Sequence, residues 1–132
     1  MDNTIGIAIS GLKSASLRLQ ASASNVAHMR STGSLTDPDH PSYEAQTTVS
    51  TSLSKGGGVH TEIVTREPPT TMVFDPSDPN ADLNGLVTAP NVNSDEELVL
   101  MKMAEQAYKA NAQVIKTAGE IFDTLIDALK DD

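Results

Sequence analysis

Apolar and polar positions alternate along this chain with two different periods, and the change of period divides it into three parts. From Ser94 to Lys130 apolar residues return every seven positions at Met101, Tyr108, Ile115, Phe122 and Leu129. A second row runs Ala104, Asn111, Ala118 and Leu125. Spacings of three and four residues place both rows on one face of a helix, in the pattern of a seam that pairs with another helix. The stretch contains no proline, and at about 1.5 Å per residue it reaches roughly 54 Å. Ser94 followed by Glu97 reads as a capping box, with Asp95, Glu96 and Glu97 on the positive end of the helix dipole.

Residues 4–27 show the same period. Ile5, Leu12, Leu19 and Val26 repeat at seven, with Ala8, Ala15 and Ser22 as a row of small residues beside them. Small side chains allow a second helix to approach closely. The pattern stops after Met29, and residues 31–42 have loop composition. From Tyr43 to Leu53 the period becomes two, which predicts a strand. Gly56-Gly57-Gly58 predicts a turn, and Val59 to Thr65 a second strand antiparallel to the first. Pro68-Pro69 ends it, and Met72-Val73-Phe74 reads as a short third strand. Residues 75–93, with three prolines and several Asp and Asn, read as a loop.

The predicted fold is therefore mainly α with a small β insert. Two long terminal helices pair as an antiparallel coiled coil, with a short β-hairpin region between them. The segments are 1–30, an N-terminal helix; 31–93, the loop and β insert; and 94–132, a C-terminal helix. Charge supports the pairing: residues 1–30 are net +2 and residues 94–132 net −5.

Composition narrows the function. The net charge of −9 argues against binding nucleic acid or an anionic membrane surface. Aromatic residues make up 3%, with no Trp, so helix packing is expected rather than a thick core. No cysteine is present for a disulfide or thiolate site. No apolar run approaches the ~20 residues that span a bilayer, so no direct membrane insertion is expected. Met1-Asp2-Asn3 lacks the basic start of a cleavable signal peptide, so export, if it occurs, is expected without cleavage.

Candidate chemistry is sparse. Asn80-x-Asp82-x-Asn84-Gly85 has the spacing of the first half of a calcium loop, but position 12 is Asn91, where a bidentate Glu is needed. A turn-forming Asx/Gly cluster is the expected reading. His28, His40 and His60 lie in separate elements; Asp37, Asp39 and His40 form at most a weak metal cluster in a solvated loop. No nucleophile elbow, phosphate loop or dinucleotide fingerprint is present. Lys102, Lys109 and Lys116 form a row spaced by seven, expected as a solvated flank with Glu105 and Lys109 paired. No catalytic residue, metal or cofactor is expected.

Several short motifs occur in one order. Ala23-Ser24-Asn25-Val26-Ala27 is followed by Pro41-Ser42-Tyr43, then by Val73-Phe74-Asp75-Pro76 and Pro90-Asn91-Val92, and finally by Gln106-Ala107-Tyr108-Lys109-Ala110-Asn111. In this order the chain resembles the axial proteins of the bacterial flagellum, and among them the basal-body rod proteins of the proximal rod. The matched positions are Ser24, Asn25, Ala27, Tyr43, Pro90, Asn91, Val92, Tyr108 and Asn111. The resemblance implies a subunit that assembles with copies of itself and other rod subunits into a hollow, torque-transmitting tube in the periplasm. It also implies passage through the flagellar type III export apparatus without cleavage. The heptad rows would then be an assembly seam: Ile5, Leu12, Leu19, Val26, Met101, Ala104, Tyr108, Asn111, Ile115, Ala118, Phe122, Leu125 and Leu129. The residues alone also allow a soluble acidic helical module that captures one partner helix, such as an export chaperone or regulator. A calcium-dependent module or small hydrolase is a third reading.

Overall fold

A computed structural model describes residues 2–130; Met1, Asp131 and Asp132, which the terminal segments above include, lie outside the described residues. Helix α1 (Asp2–His28) and helix α2 (Ser94–Lys130) enclose four strands, β1 (Gln46–Ser52), β2 (Val59–Thr65), β3 (Thr70–Phe74) and β4 (Leu86–Pro90). The strands form two antiparallel hairpins, β1–β2 and β3–β4. In the first, Gln46 lies opposite Thr65 and Ser52 opposite Val59. In the second, Thr70 lies opposite Pro90 and Phe74 opposite Leu86.

The helices pack side by side in opposite directions. Asn25 of α1 meets Glu97 of α2, while Gly11 lies against Asn111. The buried apolar side chains are almost all alanine: Ala8, Ala15 and Ala21 on α1, Ala104 and Ala118 on α2, and Ala45 ahead of β1; Val87 on β4 is the largest. Small residues bring the helix axes close. At Gly11 a Cβ would lie 2.5 Å from the Asn111 amide oxygen, so the missing side chain makes the hole that Asn111 occupies.

Hairpin β1–β2 lies along α1 and is joined to it by a row of polar contacts. Ser10 Oγ accepts from Val59 N at 3.0 Å. Thr61 Oγ1 donates to Ser14 Oγ at 2.8 Å and lies 2.9 Å from Ser50 Oγ. Arg18 donates to Ser50 Oγ at 3.2 Å. Spacing of about four residues keeps Ser10, Ser14 and Arg18 on one helix face. Gly58, with φ +95°, passes so close that a Cβ would meet Ser10 Oγ at 2.1 Å.

Three expectations need correction. The first strand begins at Gln46, not Tyr43, because Tyr43 turns back onto α1. The segment 75–93 contains β4, which pairs with β3; its Pro and Asn flanks resemble a loop, and its partner is fixed only by tertiary pairing. Gly33 extends that pairing, exchanging two backbone hydrogen bonds with Thr88 at 2.8 and 2.9 Å. Finally, Ser94 and Glu97 do not form a capping box. Asn93 caps α2 instead, its Oδ1 accepting from the N–H groups of Asp95 at 3.0 Å and Glu96 at 3.3 Å. Glu97 is drawn into the interior.

Candidate assembly surface and the junction that shapes it

Where the two helices and both hairpins meet, a polar junction fixes their geometry. Asn25 is 1% exposed and uses both ends of its amide. Its Oδ1 accepts from Gln46 N at 2.8 Å and from the Tyr43 hydroxyl at 3.1 Å. Its Nδ2 donates to Gln46 O at 2.8 Å and to Glu97 Oε1 at 2.9 Å. One side chain thus gives β1 the pair of hydrogen bonds that a neighbouring strand would supply. Tyr43 also lies 3.0 Å from Ser24 Oγ and stacks on His28, with ring centroids 4.7 Å apart.

Glu97 is fully buried. Arg66 donates to its Oε1 at 2.6 Å and to the Asn91 carbonyl at 3.1 Å. The Asn91 side chain in turn donates to Pro68 O at 3.0 Å. Oε2 of Glu97 has no hydrogen-bond partner among the described residues. A buried carboxylate is tolerated only where cation and hydrogen bonds converge on it, as they do on Oε1. Nothing local in the sequence joins Arg66 to Glu97, which lie 31 residues apart. A lone Arg after a strand and a Glu at a helix start each have ordinary surface readings.

The motif positions therefore separate. Ser24, Asn25 and Tyr43 come together, and Asn91 closes the junction from the far side, with buried Pro90 and half-buried Val92 next to it. Ala27 is exposed. Asn111 sits between the helices, and Tyr108 is about half exposed on α2.

The small heptad positions Ala8, Ala15 and Ser22 on α1 and Ala104 and Ala118 on α2 are buried in the single chain. Ile5, Leu12, Val26, Met101, Asn111 and Ile115 are half-buried. Leu19, Tyr108, Phe122, Leu125 and Leu129 are exposed. The small residues make the contact between the helices, and the large ones flank it in water. Residues 121–130 are exposed throughout, because α2 continues roughly ten residues, about 15 Å, beyond the start of α1. Such a run of exposed Ile, Phe and Leu marks an interaction surface.

The remaining candidates have local roles. Lys102 and Lys109 both pair with Glu105, whose carboxyl they pull down to about 2. Lys116 reaches Glu120 at 3.8 Å. Asp82 Oδ1 accepts from the N–H groups of Asn84 and Leu86, which makes it a turn former. Asp37 accepts from Asp39 N and pairs with His40. Among the described residues no three metal-ligating side chains converge.

Asp82 also gives a pH expectation. Its pKa is lowered, first by the Leu86 N–H and then by the Asn84 N–H. A lowered folded pKa contributes stability that is present above the ordinary value of 3.8 and lost as pH falls through the folded value. The turn at 82–86 should therefore loosen only below the normal carboxylate range. Amide shifts of Asn84 and Leu86, followed by NMR from pH 6 to 2, should titrate together below that value. A midpoint at or above it would contradict the assignment.

Residues 83–128 match the family described as flagellar basal body rod FlgEFG protein C-terminal. The chain is 36% identical to the flagellar basal-body rod protein FlgC of Agrobacterium fabrum, over 94% of this chain and 91% of that one. It is 34% identical to the protein of the same name in Salmonella typhimurium, over 87% of each. With that of Aquifex aeolicus it shares 30%, over 97% and 96%. The chain belongs to the FlgC family of flagellar basal-body rod proteins, structural subunits of the basal body and not enzymes.

Proposed function

We propose that this rod subunit assembles with copies of itself and with other rod subunits into a hollow shaft that crosses the periplasm. The shaft transmits torque and lets exported subunits pass. In this reading α1 and α2 pair as a coiled coil, and the chain reaches its site unfolded, through the type III export apparatus and without signal cleavage. The exposed large heptad row on an alanine-packed helix pair supports it. A subunit that ended its assembly as a monomer would leave Tyr108, Phe122, Leu125 and Leu129 in water. Burial in an assembly gains roughly 25 cal/mol for each Å² of apolar surface covered.

The test is a strain lacking the chain. Basal bodies should stop short of a complete rod, no filament should form, and swimming should be lost until the intact chain is restored. Complete rods in the deletion strain would reject the proposal.

A further inference from the structure

The outer edge of β1 is only partly served. Asn25 takes both backbone groups of Gln46, which therefore point away from β2. By the alternation of an antiparallel ladder, the N–H and C=O groups of Thr48 and Ser50 point the same way. Among the described residues these groups have no hydrogen-bond partner. A cavity of about 340 Å³ lies beside them, lined also by Arg18 and Ser22 of α1 and by Leu100 and Met103 of α2. The two-stranded sheet thus covers α1 and stops short of α2, where Leu100 and Met103 are left exposed.

Strand β3 offers what this edge lacks. Thr88 spends its outward backbone groups on Gly33, so Met72, opposite Thr88, turns its own N–H and C=O away from β4. Thr70 and Phe74 do the same by alternation, and among the described residues nothing pairs with this edge. Met72 is 66% and Phe74 69% exposed. Thr70–Phe74 has no charged residue in a chain of net charge −9, so it meets another copy without like-charge repulsion. An open, uncharged, apolar edge is a template for pairing with another strand. Pro68-Pro69 and Pro76 bound it, which limits the pairing to this short segment. Charge agrees as well: Asp75 directly follows β3, and exposed Arg18, beside the β1 edge, has Ser50 Oγ as its hydrogen-bond partner and no carboxylate among the described residues. The same chain's β3 starts on the other side of β1, where Ala45 N, opposite in direction to Gln46 N, donates to Pro69 O.

We propose that the outer edge of β3 in one copy pairs with the outer edge of β1, at Thr48 and Ser50, in a second copy. The sheet over α1 is thereby extended across α2. Met72 and Phe74 cover Leu100 and Met103, and Asp75 approaches Arg18. The two edges are different surfaces, so each copy keeps one of each free and the contact propagates without closing. This rests on the rod-subunit reading and names a contact in it that is made by the β insert.

Met72→Pro isolates the edge. It removes an N–H that points outward and is not used by the β3–β4 ladder. The purified variant should keep its hairpins and melt within a few degrees of wild type, while its incorporation into basal bodies should fall about tenfold. Met72→Leu, which keeps the N–H and an apolar side chain, should incorporate normally. Wild-type incorporation of Met72→Pro would overturn the proposal. A photoreactive benzophenone side chain at position 72 decides the matter even if the proline variant fails to fold. In isolated basal bodies it should join to residues 46–52 or to Met103 of a second copy. Complete rods in which it joins instead to position 72 of another copy, to another segment or to another protein would overturn the proposal and leave the rod-subunit reading intact. Absence of the wild-type chain from basal bodies would overturn both.

Discussion

Asn25→Ala should lower the stability of the isolated chain by about 3–5 kcal/mol, a large share of what a domain of this size possesses. The substitution deletes both hydrogen bonds to the backbone of Gln46, the donor to Glu97 and the acceptor for Tyr43. The partners stay largely buried, so their desolvation is no longer compensated. Glu97 is affected most, because its Oε2 already lacks a partner among the described residues and its Oε1 would be left with Arg66 alone. Urea unfolding followed by circular dichroism should show the midpoint falling sharply, with loss of the β1–β2 hairpin. Asn25→Asp should not rescue it, since a carboxylate has no N–H to give to Gln46 O and sets a second negative charge beside Glu97. A midpoint within a few tenths of a molar of wild type would mean that the junction does not hold the fold together.

Ile115→Asp should produce the opposite split. Ile115 is half-buried in the single chain, so a carboxylate there keeps access to water and the monomer should lose only on the order of 1 kcal/mol. In an assembly that covers the large row, the same carboxylate would be enclosed with no cation facing it. Lys109 and Lys116 are engaged by Glu105 and Glu120 on another flank of the helix. An unpaired buried charge costs several kcal/mol, and the defect recurs in every copy. The expected strain makes and exports the variant but builds no rod and does not swim. Lys109→Asp, at an exposed surface pair, should swim nearly normally. Normal motility of Ile115→Asp would remove the large heptad row from the assembly seam.

Much of this architecture was legible because it rests on local periodicity. The limits of α2 follow from the heptad rows beginning after a turn former, and β2 from strict alternation between a glycine turn and a proline pair. What was not legible depended on distant partners. Leu86 to Pro90 becomes a strand only because Thr70 to Phe74 lies alongside it. Glu97 looked like half of a capping box because its local sequence fits one. The competing pull came from Arg66 and Asn25, 31 and 72 residues away in the chain. The division of labour in the seam was hidden as well. Periodicity places large and small rows on one face, but only packing shows that the alanines meet and the large residues stay outside. The motif asparagines could be noticed as a pattern, yet the four hydrogen bonds of Asn25 required the fold.

The way the β1–β2 hairpin is fastened to α1 has a mechanical consequence. Its anchors are hydroxyl, amide and guanidinium contacts of 2.8 to 3.2 Å at Ser10, Ser14, Arg18 and Asn25. A hydrogen bond weakens steeply with small changes in distance and angle, whereas apolar side chains can slide past one another with little change in contact. The hairpin is therefore keyed to the helix like a spline on a shaft. A twist applied to α1 would therefore strain several of these contacts together before the hairpin could slip along the helix.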